Sequence, residues 1–172
     1  MATSPTASGG TNAEQPASER CVVLGPGEGR VLSLRPGDDV VLKAVSGETG
    51  GVFSFGEYSA APASAGPPLH VHERADEAAY VLEGEFTIGV GDRTITAAAG
   101  SFVFVPRGVP HSVSNQGSVP ARLVYLYIPA GIEEYWEEMV AVRTASGGRL
   151  DPAVLREIGA KHGHTLRVSS ER

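Results

Sequence analysis

Residues 70–77 read HVHERADE, two histidines one residue apart and a glutamate closing the stretch. Side chains alternate along a strand, so His70 and His72 project to one face, where two imidazoles can share one metal ion. Taken alone, such a pair equally suits the polar end of an ordinary strand. Glu77 lies five residues past His72, an odd separation that puts it on the opposite face of an unbroken strand. The polar segment ERAD must therefore turn, after which Glu77 points inward from the next strand and Gly84 supplies the following break. A second cluster comes in GSFVFVPRGVPHSVSN, residues 100–115. Phe102 and Phe104 alternate there with Val103 and Val105, the pattern of a strand buried on both faces. The segment PRGVP reverses the chain and delivers His111 at the head of a new strand. Asn115 shares the inward face of His111, placed to fix a turn or buttress the site. Three imidazoles and a carboxylate converging inside a barrel make an N3O site, which suits Fe, Mn, Ni, Cu or Zn without choosing among them. A redox-active ion there can activate a chelating substrate toward dioxygen, whereas Zn permits only Lewis-acid or water-activating chemistry. Glu77 can also leave the ion and act as a catalytic base.

These side chains need a β scaffold, and the chain supplies one. CVVL, RVLSL, DVVLKA, GVFSFGEY, PLHVH, AAYVL, EFTIGV, RTITA, SFVFV, HSVS and RLVYLYI follow one another from Cys21 to Ile128, separated by Gly-, Pro- and Asp-rich turns. Short strands at this spacing predict an antiparallel sandwich or barrel rather than a parallel α/β sheet. GPGEG near the start lacks both the spacing and the following helix of a nucleotide loop. Past Pro129 the period changes: Ile132, Tyr135, Trp136, Met139 and Val140 share one helix face, with Glu133, Glu134, Glu137 and Glu138 opposite. A second helix starts at Asp151-Pro152, with Asp as N-cap and Val154, Leu155 and Ile158 as its apolar side. Both helices are expected to pack on the outside of the sheet, with the Trp136 stripe as core. His162 and His164, in KHGH, have no glutamate frame after them and read as part of a solvated tail.

The pocket beside the histidines should be apolar and aromatic. Phe53 and Phe55 share one strand face and Tyr125 and Tyr127 another; both pairs are pocket candidates, and spacing alone leaves open which faces point inward. Ala79 and Val81 follow Glu77 inward by parity. Glu57 continues the Phe53–Phe55 face, an acid candidate if that face is internal and a solvated charge if it is not. The small-residue loop from Ser59 to Pro68 leads into the histidine strand and is placed to frame the barrel mouth.

The chain has 172 residues, 41% hydrophobic and 20% charged, the range of one globular domain. Residues 1–20 are expected to form a disordered tail, 21–145 a β-barrel with the first helix, and 146–172 the second helix and a tail. A net charge of -6 with only two lysines, Lys43 and Lys161, argues against a nucleic-acid partner. One cysteine, Cys21, permits no internal disulfide and suits a reducing compartment. The opening residues carry no basic start and no apolar run, unlike a secretory leader, and no apolar run of membrane-spanning length occurs. A cytoplasmic location without a membrane partner is expected.

With the residues in view, a resemblance follows. His70, His72, Glu77 and Gly84 match the first motif of the cupin superfamily; Gly100, Pro106, Gly108, His111 and Asn115 match the second. Ser64 stands where the full first motif has a glycine, a departure that leaves the candidate ligands untouched. The resemblance covers about residues 40–128 and is strongest to the small cupins grouped with quercetin 2,3-dioxygenase. It implies an all-β fold, a double-stranded β-helix or jelly-roll barrel followed here by two short C-terminal helices, often dimeric. It also implies one divalent transition metal ion held by His70, His72, Glu77 and His111. The implied activity is oxygenation of a chelating aromatic, flavonol- or polyketide-like molecule. Similar small cupins imply two alternatives, a non-redox cyclase or isomerase of secondary metabolism and a small-molecule-binding protein without turnover. A small-molecule substrate and a homodimer are the expected partners.

Overall fold

The computed structural model describes residues 21–166; the tail expected over residues 1–20 lies outside it. Alternation of small or apolar with polar side chains is what makes the strands. In β10 (Ala121–Ile128) Ala121, Leu123, Tyr125 and Tyr127 are buried, and the residues between them are not. In β3 (Ser54–Ala60) the buried set is Ser54, Gly56, Tyr58 and Ala60. The remaining strands are β1 (Arg30–Arg35), β2 (Asp38–Ala44), β4 (His70–His72), β5 (Asp76–Glu83), β6 (Glu85–Val90), β7 (Arg93–Ala98), β8 (Phe102–Val105), β9 (His111–Ser114) and β11 (His164–Leu166). They form a six-stranded sheet, β1-β2-β3-β10-β5-β8, and a five-stranded sheet, β11-β4-β9-β6-β7, all pairs antiparallel. The two sheets close on a core that includes Val40, Val81, Phe86, Ile88 and Leu123, giving the jelly-roll architecture.

Ten of the eleven expected runs are strands. CVVL is not: it pairs with no strand, and Val23 is 84% exposed. β8 departs from expectation differently. Its sheet is covered by the other sheet on one face only, so the outward Phe102 and Phe104 stand 67% and 56% exposed while Val105 is buried.

Among the described residues three helices join the strands: α1 (Ser46–Thr49), α2 (Ile132–Ala145) and α3 (Pro152–Lys161). The expected N-cap of α3 is present, the Asp151 carboxylate accepting from the Ala153 amide at 2.7 Å. The expectation that both helices lie outside the sheet is overturned for α2. Its apolar face meets the inward face of β10, with Trp136 edge-on to Tyr125 and Tyr127 at ring separations of 5.1 and 5.9 Å. It therefore closes the space between the sheets. Glu133, expected on the polar face, is buried for the same reason. Its carboxylate accepts from the Ser54 hydroxyl at 2.5 Å and the Ser46 amide at 2.6 Å, tying the start of α2 to β3 and α1. Among the described residues no helix is long and apolar enough to cross a membrane.

Candidate metal centre

β4 lies between β11 and β9, so His70 and His72 face the barrel interior with His111 directly opposite His70. Glu77 belongs to the other sheet. The chain leaves β4 at Glu73, crosses between sheets, and enters β5 at Asp76, so the odd step from His72 to Glu77 aims the carboxylate back across the barrel. One donor atom from each of His70, His72, Glu77 and His111 can be chosen so that all lie within 4.8 Å of one another. The His72 and His111 Nε2 atoms stand 2.9 and 3.0 Å from the Glu77 carboxylate, and the His70 and His72 Nε2 atoms are 3.2 Å apart.

Backbone carbonyls set the direction of two rings. His70 Nδ1 donates to the Pro68 carbonyl at 2.8 Å, and His111 Nδ1 donates to the Val109 carbonyl at 3.0 Å. With Nδ1 committed to a carbonyl, each ring turns Nε2 into the cluster, where it offers a lone pair to an ion when neutral; that of His111 donates to Glu77 when protonated. Burial by itself would raise the Glu77 carboxyl, but the His111 and His72 rings bonded to it hold it well below the usual carboxylate range. Burial lowers His111, yet its contact with Glu77 more than offsets this and raises it. His70 is pushed down to about 3, chiefly by burial and then by the neighbouring imidazoles. Convergent lone pairs and an ionised carboxylate, all shielded from water, are a donor set for a divalent transition ion. The residues fit such an ion without identifying it.

Asn115 takes no place in the cluster. It is buried, donating to the Ala60, Ala61 and Val119 carbonyls at 3.2, 2.9 and 2.9 Å, and so braces the loop that leads toward His70.

The cluster opens on a cavity of about 100 Å³ between the sheets. Tyr125 and Tyr127 line it, as do Ala79, Val81 and, from the loop before β4, Pro67 and Pro68. The Tyr127 phenol is paired with Glu77 and, by burial first, kept well above its ordinary pKa. Gly56 makes room for Tyr125: a Cβ at 56 would stand 2.3 Å from the phenolic oxygen. Phe53 and Phe55 do not line the cavity. Parity in β3 turns Tyr58 inward and Phe55 outward, and Phe53 precedes the strand. Glu57 shares the outward face and bridges Lys43 and Arg122 at 3.3 and 3.2 Å, a surface charge rather than an acid of the site.

Sequence reasoning missed the far wall. Ile132, Tyr135, Trp136 and Met139 of α2 line the cavity, and so does His164. The solvated-tail reading of KHGH is overturned, because His164 is 7% exposed in β11 and His162 Nε2 is 2.7 Å from the Glu138 carboxylate of α2. The one signal was the two-residue spacing of those histidines, which is strand parity, but nothing local says which surface receives the strand.

The family described as Cupin domain matches residues 57–128. Over 60 residues the chain is 33% identical to the tetracenomycin polyketide synthase protein TcmJ of Streptomyces glaucescens, a match covering 35% of this chain and 40% of that protein. The matched segment spans less than half the length of the curated relatives. Among solved structures, KdgF from a Halomonas species superposes with a TM-score of 0.56 at 17% identity, covering 63% of this chain and 94% of that one. An RmlC-like cupin from Shewanella frigidimarina superposes with a TM-score of 0.55 at 20% identity, covering 64% and 93%. Residues 57–128 are thus similar to the Cupin domain family, the fold is that of the solved cupins, and the buried three-histidine, one-glutamate cluster lies within the matched segment.

Proposed function

We propose that the protein is a metal-dependent enzyme that takes a chelating aromatic, flavonol- or polyketide-like molecule into the cavity and oxygenates it, a quercetinase-like dioxygenase. One observation carries the reading: four convergent donors meet a cavity walled mainly by apolar and aromatic side chains. An Fe, Ni, Mn or Cu ion held by His70, His72, Glu77 and His111 would supply Lewis acidity and a partner for dioxygen. The chain's own residues do the rest. The Pro68 and Val109 carbonyls keep two imidazoles aimed inward. Ionised Glu77 is the base nearest a substrate hydroxyl proton, with the neutral Tyr127 phenol beside it. Trp136 and Met139 line the cavity with apolar surface, which disfavours water there. Oxygen uptake with a flavonol, dependent on added Fe, Ni, Mn or Cu, is the expected result; turnover unchanged without oxygen would sink the reading.

A second reading is a non-redox cyclase or isomerase of secondary metabolism, for which Zn suffices; the likeness to a polyketide synthase protein supports its polyketide-like substrate. It expects Zn in protein purified without added metal and turnover under anaerobic conditions. A homodimer belongs to the same proposal. Sedimentation showing only a 17.9 kDa species would remove it.

A further inference from the structure

His164 lies in the cavity but outside the four-donor cluster, and the chemistry above does not use it. The fold goes to some length to put it there. β11 returns from α3 to lie antiparallel on β4, with His164 opposite His72 and Leu166 opposite His70. Two glycines allow that return. A Cβ at Gly159 would come within 2.5 Å of the His164 carbonyl, and Gly163, at φ +74°, reverses the chain against the Arg74 side chain. The His164 ring stacks flat on Tyr135 at 4.5 Å and meets the His72 ring edge-on at 4.4 Å. Its position is thereby held from two sides.

No hydrogen bond joins either nitrogen of this ring to another described residue, although the residue as a whole is buried. Its neighbour in KHGH differs, since His162 is bonded to Glu138. A phenylalanine would make the same stack on Tyr135 and offer the cavity no polar atom. A rigid polar ring that faces a cavity with no hydrogen-bond partner among the described residues is placed to be completed by a ligand.

We infer that His164 is a ligand-binding residue whose ring hydrogen-bonds a hydroxyl or carbonyl oxygen of the small molecule held beside His70, His72, Glu77 and His111. A neutral imidazole offers one N–H and one lone pair, so it serves either oxygen type. The assignment rests on the reading that the cavity receives an oxygen-bearing, chelating small molecule. It adds a selectivity: molecules lacking an oxygen at that edge should bind more weakly.

The test uses the full-length protein loaded with Zn, so that the probe is not oxidised, and catechol as that probe. Trp136, the single tryptophan, lines the cavity, so quenching of its fluorescence reports binding, and metal content is measured alongside. His164→Phe is expected to keep its metal and bind catechol about tenfold more weakly, the loss of one hydrogen bond. His164→Gln should stay within about threefold of the native protein, because its amide can replace the bond. If His164→Phe does not fold, His164→Leu carries the same expectation. Native affinity in the Phe or Leu variant would overturn the assignment. Loss of metal from any of these variants would also overturn it, since the ring would then serve the cluster and not the ligand. Absence of quenching in the native protein would instead overturn the small-molecule reading beneath it.

Discussion

The cavity has two walls made in different ways. On one side His70, His72 and His111 stand on neighbouring strands, and two of them are steered by carbonyls only two residues away in the chain. On the other, Tyr135, Trp136 and His164 arrive on α2 and β11, held by ring contacts with side chains remote in sequence. The first wall is made by strand parity and local hydrogen bonds, so it presents fixed atoms in fixed directions. The second is made by packing, which specifies shape and closure. The two walls thus differ in kind: one presents donor atoms in fixed directions, the other shape and closure.

Damage to each wall should therefore read out differently. The largest expected effect is on metal content: His72→Ala or His111→Ala should hold less than about a tenth of the native metal while the barrel stays folded, since each removes a donor. Retained stoichiometric metal, by elemental analysis, would break the comparison at its first term. Trp136→Ala should do the reverse, keeping metal while lowering unfolding free energy by about 3–5 kcal/mol, the cost of emptying a buried tryptophan site. Denaturant titration with metal analysis on the same sample checks both halves.

Acid should find the ligand wall in metal-stripped protein. His70 takes up a proton near pH 6.5 when unfolded but only at about 3 when folded. The unfolded chain therefore binds more protons in between, and stability must fall as pH falls through that window. Burial first, then the neighbouring imidazoles, also pushes His164 down, to about 2, which adds to the slope. His111 is raised instead, so its contribution is complete below 6.5 and does not oppose this trend. Between pH 6 and 4.5 the folded-to-unfolded ratio should drop roughly tenfold per pH unit for each of the two lowered histidines. A flat urea midpoint over that range would contradict it. The smallest effect is expected at Phe102→Ser, because an exposed side chain contributes little: a change within about 0.5 kcal/mol.

Much of the ligand wall was legible before any fold was known. Parity alone put His70 and His72 on one face, and the odd step to Glu77 demanded a turn, which the structure shows as a crossing between sheets. Parity failed where it needed to know which face is inside. Phe53 and Phe55 share a face as truly as Tyr125 and Tyr127 do, and only the position of the opposite sheet decides that the tyrosines and Tyr58 meet the cavity. Phe102 and Phe104 failed similarly, because sequence does not say that the outer face of their sheet is left uncovered. His164 failed because pairing between β11 and β4 joins segments far apart in the chain, and a pair of histidines around one glycine carries no address.

By itself, then, the sequence determined an antiparallel β scaffold, two C-terminal helices, and the side chains able to hold an ion. All of these follow from alternation, helical period and turn chemistry acting over a few residues. The tertiary structure alone decided that α2 closes the cavity, that the tyrosines and not the phenylalanines line it, and that a fourth histidine, His164, stands inside. Those outcomes depend on where two sheets leave space between them, and that space is the joint product of every strand rather than a property of any one segment.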